Sequence, residues 1–284
     1  MALRRFISVG ACGMLTAAFP NLAVAQATPV GMTDNPCPPP APAPPRAILE
    51  AMMKPGAKSA MPTPDANDPA YQAYLKRTQD ERSRDFGAVC RFKPDNAALH
   101  APPHVVFMGD SITESWQVGD PGLFTSGILD RGISGQTSPQ MLLRFYQDVI
   151  ALHPQVVHIM AGTNDIAGNT GPTTAADFLN NVRAMIDLAQ AHGVKVILAS
   201  ILPTDRFPWA PALHPAAQVI DLNTQLHALA IQRGIVWADY YTATATPGGA
   251  FKPELSNDGV HPNTDGFARM RPIFDAALQE ATRK

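Results

Sequence analysis

The sequence has no excess of basic residues and little charge of either sign. Its 284 residues include 22 Lys and Arg and 24 Asp and Glu, which gives a formal net charge of −2. Because nucleic-acid binding needs basic side chains to neutralise phosphates, we expect no nucleic-acid partner. Charged residues make up only 16% of the chain and hydrophobic residues 45%, which argues against a disordered or coiled-coil chain and allows a sizeable core.

Long apolar runs are absent after residue 27, so we expect no transmembrane anchor in the mature chain. Residues 1–27 are typical of a secretory signal peptide, because two arginines precede an apolar stretch and Ala25-Gln26-Ala27 fits a cleavage site. The alternative is an N-terminal membrane anchor, but the apolar run is short and ends at Pro20. We therefore expect an exported protein, either periplasmic or extracellular.

Cysteine is scarce, and one of the three, Cys12, falls within this signal segment. In an oxidising compartment the remaining pair, Cys37 and Cys90, is expected to form a disulfide, although two unrelated thiols are the alternative. Residues 28–64 hold eleven prolines, which remove the backbone donors that helices and central strands need. A Cys37–Cys90 bridge would fasten this arm to the rest of the chain.

The chain divides into four regions by composition and pattern. After the signal peptide at 1–27 come a proline-rich arm at 28–68, a helical extension at 69–102 and a larger domain at 103–284. Asp68-Pro69 is a typical helix start, and residues at helical spacing predict a helix down to Phe86.

From His104 onward, short apolar runs alternate with helical patterns. Strands are predicted at 104–108, 155–160, 195–202 and 235–238, with a shorter one at 128–131. Helices are predicted at 138–152, 174–192, 215–233 and from 263 to the C-terminus. This alternation predicts a parallel sheet covered by helices on both faces. In such folds, functional residues gather beyond the carboxyl ends of the strands.

Four small polar clusters lie at strand ends or before the last helix. They are Gly109-Asp110-Ser111, Gly132-Ile133-Ser134-Gly135, Gly162-Thr163-Asn164-Asp165 and Asp258-Gly259-Val260-His261-Pro262. They contain the parts of an acyl-transfer site: a serine, a histidine base, a carboxylate to orient it, and an amide and a glycine that can donate to an oxyanion. Asp110 and Asp165 could form a carboxylate pair, but we favour structural acceptors beside the strand ends.

Several other kinds of catalytic or binding site are excluded because the sequence lacks their motifs. The serine is not within Gly-x-Ser-x-Gly, the nucleophile elbow of the α/β-hydrolases. A phosphate-binding loop and a His-Glu-x-x-His zinc motif are also missing. We therefore expect no metal and no cofactor.

The four clusters resemble the sequence blocks of the SGNH (GDSL-type) hydrolases, over about residues 103–281. The resemblance implies a flavodoxin-like fold, a three-layer αβα sandwich with a central parallel sheet. The proline-rich N-terminal arm and helix lie outside the resemblance and have no assigned role. The resemblance also implies roles for five residues: Ser111 as nucleophile, His261 as base, Asp258 as its orienting acid, and Ser111, Gly135 and Asn164 as the oxyanion hole.

Within that family, the platelet-activating-factor-acetylhydrolase-like branch is the most similar, from residues 112–114 and 131–135. The sequence departs from that branch at Gln136, where Asp is common. The change lies beside Gly135 and is expected to affect its turn or a substrate contact without removing a catalytic group.

Two tryptophans are the candidate substrate contacts. Trp116 follows the nucleophile cluster and Trp209 lies in a proline-rich loop, where aromatic rings could stack on a sugar or line an acyl pocket. Ordinary packing is the alternative for both.

We expect an exported, cofactor-free serine esterase acting on small acyl esters. A carbohydrate O-deacetylase is the first candidate and a lysophospholipase or arylesterase the second, and a non-catalytic envelope-binding protein of the same fold is the alternative from another class.

Overall fold

The computed structural model describes residues 36–37, 53–56, 69, 72–73, 76, 79, 83–125 and 127–283. The chain separates into two units at the junction between Cys37 and Pro38. The predicted signal peptide, Cys12 and most of the predicted arm lie outside the described residues. Within the predicted helix at 69–86, the described residues from 69 to 84 are helical. Cys37 and Cys90 are each disulfide-bonded.

One parallel sheet forms the centre of the fold. Its strands are β1 (Val105–Gly109), β2 (Ile128–Gly132), β3 (Val156–Ile159), β4 (Lys195–Ala199) and β5 (Val236–Ala238). Their order across the sheet is β2-β1-β3-β4-β5. β1 lies between β2 and β3, with Val105 opposite both Ile128 and Val156. Every residue of β1 is buried, as expected of a strand covered on both faces.

Helices cover both faces of this sheet. The helices described without gaps are α1 (Lys93–Ala97), α2 (Ser111–Gly119), α3 (Ser138–Asp148), α4 (Thr163–Ile166), α5 (Ala175–Ala191), α6 (Ala216–Arg233), α7 (Tyr240–Thr244) and α8 (Thr264–Arg283). Because side chains alternate along a strand, Val106 and Met108 face one core layer with α3, α5 and α6. Val105 and Phe107 face the other layer, with α2 and α8. The predicted three-layer αβα fold is confirmed.

Local signals set several helix ends. Thr174 Oγ1 accepts from the backbone N–H of Asp177 at 3.1 Å and caps α5. Gly234, with a φ of 63°, ends α6 in the left-handed conformation that glycine adopts without strain. α3 ends at Asp148, earlier than predicted, because residues 150–152 tighten into a 3₁₀ turn ahead of Pro154.

Whether a helix can span a membrane depends on its length and its apolar character. None of the helices in the described part of the chain is both long and apolar enough to cross a bilayer.

Candidate active site

Ser111 lies at the carboxyl end of β1, as the first residue of α2. Asp110 caps this helix, since its Oδ1 accepts the backbone N–H of Ile112 at 2.9 Å. The N–H of Ser111 has no acceptor within the helix because a first-turn donor lacks a partner one turn earlier. The positive end of the helix dipole favours negative charge that develops at this point.

His261 and Asp258 lie on the loop that precedes α8. Ser111 Oγ is 3.0 Å from His261 Nε2, and His261 Nδ1 is 2.7 Å from Asp258 Oδ2. The His261 and Asp258 side chains are each only 12% exposed, so these hydrogen bonds are largely shielded from water. When Nδ1 carries the proton and donates to Asp258, Nε2 is free to accept the serine proton.

The Asp258 carboxylate is held by its own loop. Its Oδ1 accepts the backbone N–H groups of Val260 and His261, both at 2.8 Å. Ser256 Oγ also donates to this oxygen, at 3.3 Å, and accepts from Gly259 N at 3.0 Å. With Oδ1 occupied by the loop, Oδ2 is presented to the imidazole.

Electrostatics favour an ionised acid and a basic histidine. Burial raises the pKa of Asp258, but the charge and hydrogen bond of His261 and the backbone donors outweigh it and hold the pKa at about 2. Burial lowers the pKa of His261, whereas Asp258 and Asp110 raise it, and the net direction is upward. The pair can therefore accept a proton from Ser111 and stabilise the resulting imidazolium.

The loop after β2, residues 133–136, is attached directly to the end of β1. Ile133 N donates to Gly109 O at 3.2 Å. Gln136 N donates to Ile133 O at 3.2 Å and closes a tight turn. Gly135 has a φ of 78° in this turn, a conformation that disfavours residues with a side chain.

Asn164, buried in α4, joins the nucleophile strand to loop 133–136. Its Nδ2 donates to Asp110 Oδ2 and to Gln136 O, both at 3.1 Å. Its Oδ1 accepts from Asn169 Nδ2 at 2.6 Å. Both amide hydrogens are therefore engaged in this structure. Donation to a substrate oxygen requires one of them to be shared with, or released from, its present acceptor.

Asp110 and Asp165 each accept hydrogen bonds at the start of a helix. Asp110 caps α2, and Asp165 accepts from Ser138 N and Ser138 Oγ at the start of α3, the latter at 2.6 Å. Burial raises the pKa of Asp110 to about 6, opposed by the N–H of Ile112 and the positive charge of His261. These contacts agree with the structural role favoured for both carboxylates.

The two candidate substrate tryptophans differ in exposure. Trp116 is fully buried on the inner side of α2, where its ring stacks on Phe267 with centroids 5.3 Å apart. The expectation of a substrate contact is wrong for Trp116, because its ring offers no surface. Trp209 is 46% exposed, and its ring centroid lies 6.3 Å from that of His261. Its Nε1 donates to Asn169 Oδ1 at 3.2 Å.

Asn169 is a residue of this region that the sequence analysis missed. It connects Trp209 to Asn164 through its side-chain amide. It lies in Gly168-Asn169-Thr170-Gly171, which has the ordinary composition of a turn, so the sequence offers no signal for it.

The buried histidine of β3 does not join this arrangement. His158 lies in the core, 3.0 Å from Tyr240 OH, and burial lowers its pKa to about 3, so it stays neutral. Within the described part of the chain, no group of three or more His, Cys, Asp or Glu side chains is placed to hold a metal ion.

Comparison with known sequences decides the family. Residues 107–269, more than half of the chain, match the sequence model of the GDSL-like lipase/acylhydrolase family. The chain belongs to this family. A GDSL-like lipase from Bacteroides thetaiotaomicron is 41% identical, with a TM-score of 0.67, over 69% of this chain and 99% of that one. The chain is accordingly an acylhydrolase, an enzyme that hydrolyses carboxylic esters.

Two further relatives are more distant or more partial. The acetyl xylan esterase AlAXEase has the same fold as this chain, with a TM-score of 0.51 and 22% identity over 61% of this chain and 98% of its own. The lipoprotein YqeF of Bacillus subtilis is 39% identical over 79 residues, which are 27% of this chain. That match spans 32% of the relative's own length. The platelet-activating-factor-acetylhydrolase-like branch stays a prediction.

Proposed function

We propose that this acylhydrolase is an exported serine esterase that cleaves small acyl esters through Ser111, His261 and Asp258. One observation carries the proposal: an unbroken hydrogen-bond chain of 3.0 Å and 2.7 Å runs from Ser111 Oγ through the imidazole to the Asp258 carboxylate. A serine hydroxyl is a weak nucleophile by itself, and an adjacent base oriented by a carboxylate activates it.

In the first half-reaction, Ser111 Oγ attacks the carbonyl carbon of the ester while His261 Nε2 takes its proton. The negative oxygen of the tetrahedral intermediate receives hydrogen bonds from the backbone N–H groups of Ser111 and Gly135 and from the Asn164 amide. Asp258 stabilises the imidazolium. The carbon–oxygen bond to the alcohol then breaks, the alcohol takes the proton from His261, and the acyl group stays on Ser111.

In the second half-reaction, His261 removes a proton from water, which attacks the acyl-Ser111 carbonyl. The same donors stabilise the second oxyanion. Breakdown of this intermediate releases the carboxylic acid and returns the proton from His261 to Ser111 Oγ. Besides the chain itself, this sequence of steps uses only the ester and one water molecule.

A short acyl group on a sugar alcohol is the substrate class we favour. The support is Trp209, which stands exposed beside His261 and is held by Asn169, so that its ring can stack on a sugar. Hydrogen bonds join Trp209 to Asn169 and Asn169 to Asn164, so this ring is linked to the amide proposed for the oxyanion hole. AlAXEase acts, by its name, on acetylated xylan, which makes that polymer the first natural substrate to test.

Export is supported by two further observations. The partial relative YqeF is a lipoprotein, and Cys37 and Cys90 are disulfide-bonded, a state that persists in oxidising compartments. We propose a periplasmic or extracellular enzyme.

The proposed activity is tested with nitrophenyl esters of increasing acyl length, run beside acetylated xylan. We expect kcat/KM to be highest for the acetyl ester, with acetate released from xylan and no turnover by Ser111→Ala. A preference for long acyl chains would contradict the small-acyl proposal and favour a lysophospholipase. A folded wild-type protein without any turnover would favour the non-catalytic binding protein.

A further inference from the structure

Segment 85–97 of the N-terminal extension is bound to the hydrolase core by a row of glutamines at and near α3. Each glutamine donates its side-chain amide to a backbone carbonyl of the segment. The pairs are Gln140 with Phe86 O at 2.7 Å, Gln136 with Gly87 O at 3.1 Å, and Gln147 with Val89 O.

Gln136 differs from the other two because it also belongs to loop 133–136. Its side chain is buried, and its Oε1 accepts from Arg144 Nε at 2.6 Å. Its backbone carbonyl accepts one amide hydrogen of Asn164 at 3.1 Å. Gln136 therefore makes three contacts. It binds Gly87 of the extension, the buried Arg144, and the Asn164 amide that is assigned to the oxyanion hole.

Arg144 connects this contact to the strand that carries the nucleophile. It is fully buried, and its Nη2 donates to Gly109 O at 3.1 Å, the carbonyl that ends β1. Its Nη1 lies 3.1 Å from Asp148 Oδ2 in a buried ion pair, and Asn96 of the extension donates to the other Asp148 oxygen at 2.8 Å. Removing one partner of such a pair leaves a buried charge unpaired, which is strongly destabilising.

The contacts of Gln136 require an amide. Its oxygen accepts from Arg144 while its nitrogen donates to Gly87 O. An ionised carboxylate accepts only, so Asp at this position could bind Arg144 but would have no donor for Gly87 O. An amide at this position therefore fits both Arg144 and the extension that lies against it.

A second contact reaches the same loop from the extension. Arg91 Nη2 lies 3.6 Å from Glu114 Oε1, and Glu114 Oε2 accepts from Ser134 N at 2.8 Å. The ion pair is partly exposed and such pairs contribute little. Gln136 is therefore the stronger of the two connections.

We propose that Gln136 is a positioning residue through which the N-terminal extension holds loop 133–136 and Asn164 in the geometry that binds the oxyanion. This inference rests on the oxyanion role proposed above for Gly135 and Asn164. The extension is then part of the catalytic unit, because without Gly87 loop 133–136 loses one of the hydrogen bonds that hold it in place.

Gln136→Met tests the proposal, since it keeps an unbranched side chain of similar length and removes both side-chain hydrogen bonds. We expect kcat to fall by about 10- to 100-fold, as for a small misplacement of a catalytic donor, with KM little changed. Gln147→Leu is the matched control. It removes a contact with the same segment at Val89 O but does not touch loop 133–136, so kcat should stay at the wild-type value.

A double variant distinguishes a positioning role from general destabilisation. If Gln136 acts through Asn164, then Gln136→Met combined with Asn164→Ala loses less kcat than the product of the two single losses. Effects that multiply in full would overturn the proposal. Gln136→Glu provides a second variant, which keeps the acceptor for Arg144 and loses the donor to Gly87 O, and an intermediate loss of kcat is expected.

Failure of this inference can be told from failure of the proposed function. An active wild-type enzyme whose Gln136→Met and Gln136→Glu variants keep full kcat would overturn the positioning role alone. Full activity in Ser111→Ala would instead overturn the proposed mechanism, whatever the Gln136 variants do.

Discussion

Replacing Asn164 with alanine is expected to lower kcat by about 10²–10³-fold while KM changes little. The hydrogen bond from the Asn164 amide to the substrate carbonyl oxygen strengthens only as that oxygen gains negative charge. Its removal therefore destabilises the transition state more than the bound substrate. The expected loss is about 2.7–4 kcal/mol of transition-state stabilisation.

The same change also weakens the fold. It removes the hydrogen bonds from Asn164 to Asp110 Oδ2 and Gln136 O, both 3.1 Å long, and the bond of 2.6 Å from Asn169. With one charged and two neutral bonds lost, the free energy of unfolding should fall by about 2.5–6 kcal/mol. The buried Asp110 carboxylate also loses a donor, so its pKa should rise further above its ordinary value.

Asn169→Ala separates the two effects. It removes the bond that Asn164 Oδ1 accepts but leaves the donor in place, so kcat should fall far less than in Asn164→Ala. Steady-state kinetics on nitrophenyl acetate and urea unfolding would be measured for both variants. A folded Asn164→Ala enzyme with full kcat would remove Asn164 from the oxyanion hole. Equal losses of kcat in the two variants would show that the donor itself is not what matters.

Four further predictions test the histidine base, its orienting acid, the exposed tryptophan and the disulfide. Because a protonated imidazole cannot act as base, kcat/KM should fall as pH drops through the pKa of His261, with a midpoint above about 6.5. Asp258→Asn should lower kcat strongly and move that midpoint down, and a profile flat to about pH 4.5 would exclude a histidine base. Trp209→Ala should raise KM for acetylated xylan more than for nitrophenyl acetate, and equal effects would argue against sugar stacking. A Cys37–Cys90 bridge should contribute about 2–4 kcal/mol, and peptide mapping without reductant that finds both thiols free would contradict it.

The sheet and its main helices are readable from the sequence because their signals are local. β1 is an apolar run bounded by Gly109, and its residues are all buried. Thr174 and Gly234 mark helix ends through their own side chain or backbone freedom. Such signals need no knowledge of distant residues, so the order and type of these elements are predicted correctly.

Trp116 is misassigned because α2 is not evident from its sequence. Ser-Ile-Thr-Glu-Ser-Trp-Gln has modest helix propensity, and its helical form depends on the Asp110 cap and on burial of one face. Once these residues are helical, Trp116 turns into the core against Phe267 and away from the site. Tertiary packing decides this orientation.

The hydrogen bonds that fix Gln136 and Asn164 in place are equally unreadable from the sequence. Gln136 and Gly87 lie 49 positions apart, and only the docked extension shows why this position carries an amide. The engaged hydrogens of Asn164 and its link to Asn169 follow from the loop geometry, which spacing alone does not encode.

The central claim is that Ser111 is the nucleophile, and covalent labelling tests it most directly. Wild-type protein treated with a fluorophosphonate probe and digested for tandem mass spectrometry should carry the label on Ser111. Ser111→Ala should retain its thermal unfolding transition yet lose both labelling and ester hydrolysis, because no other group supplies the covalent step. Hydrolysis retained by folded Ser111→Ala, or a label found on another residue of the wild-type enzyme, would contradict the account.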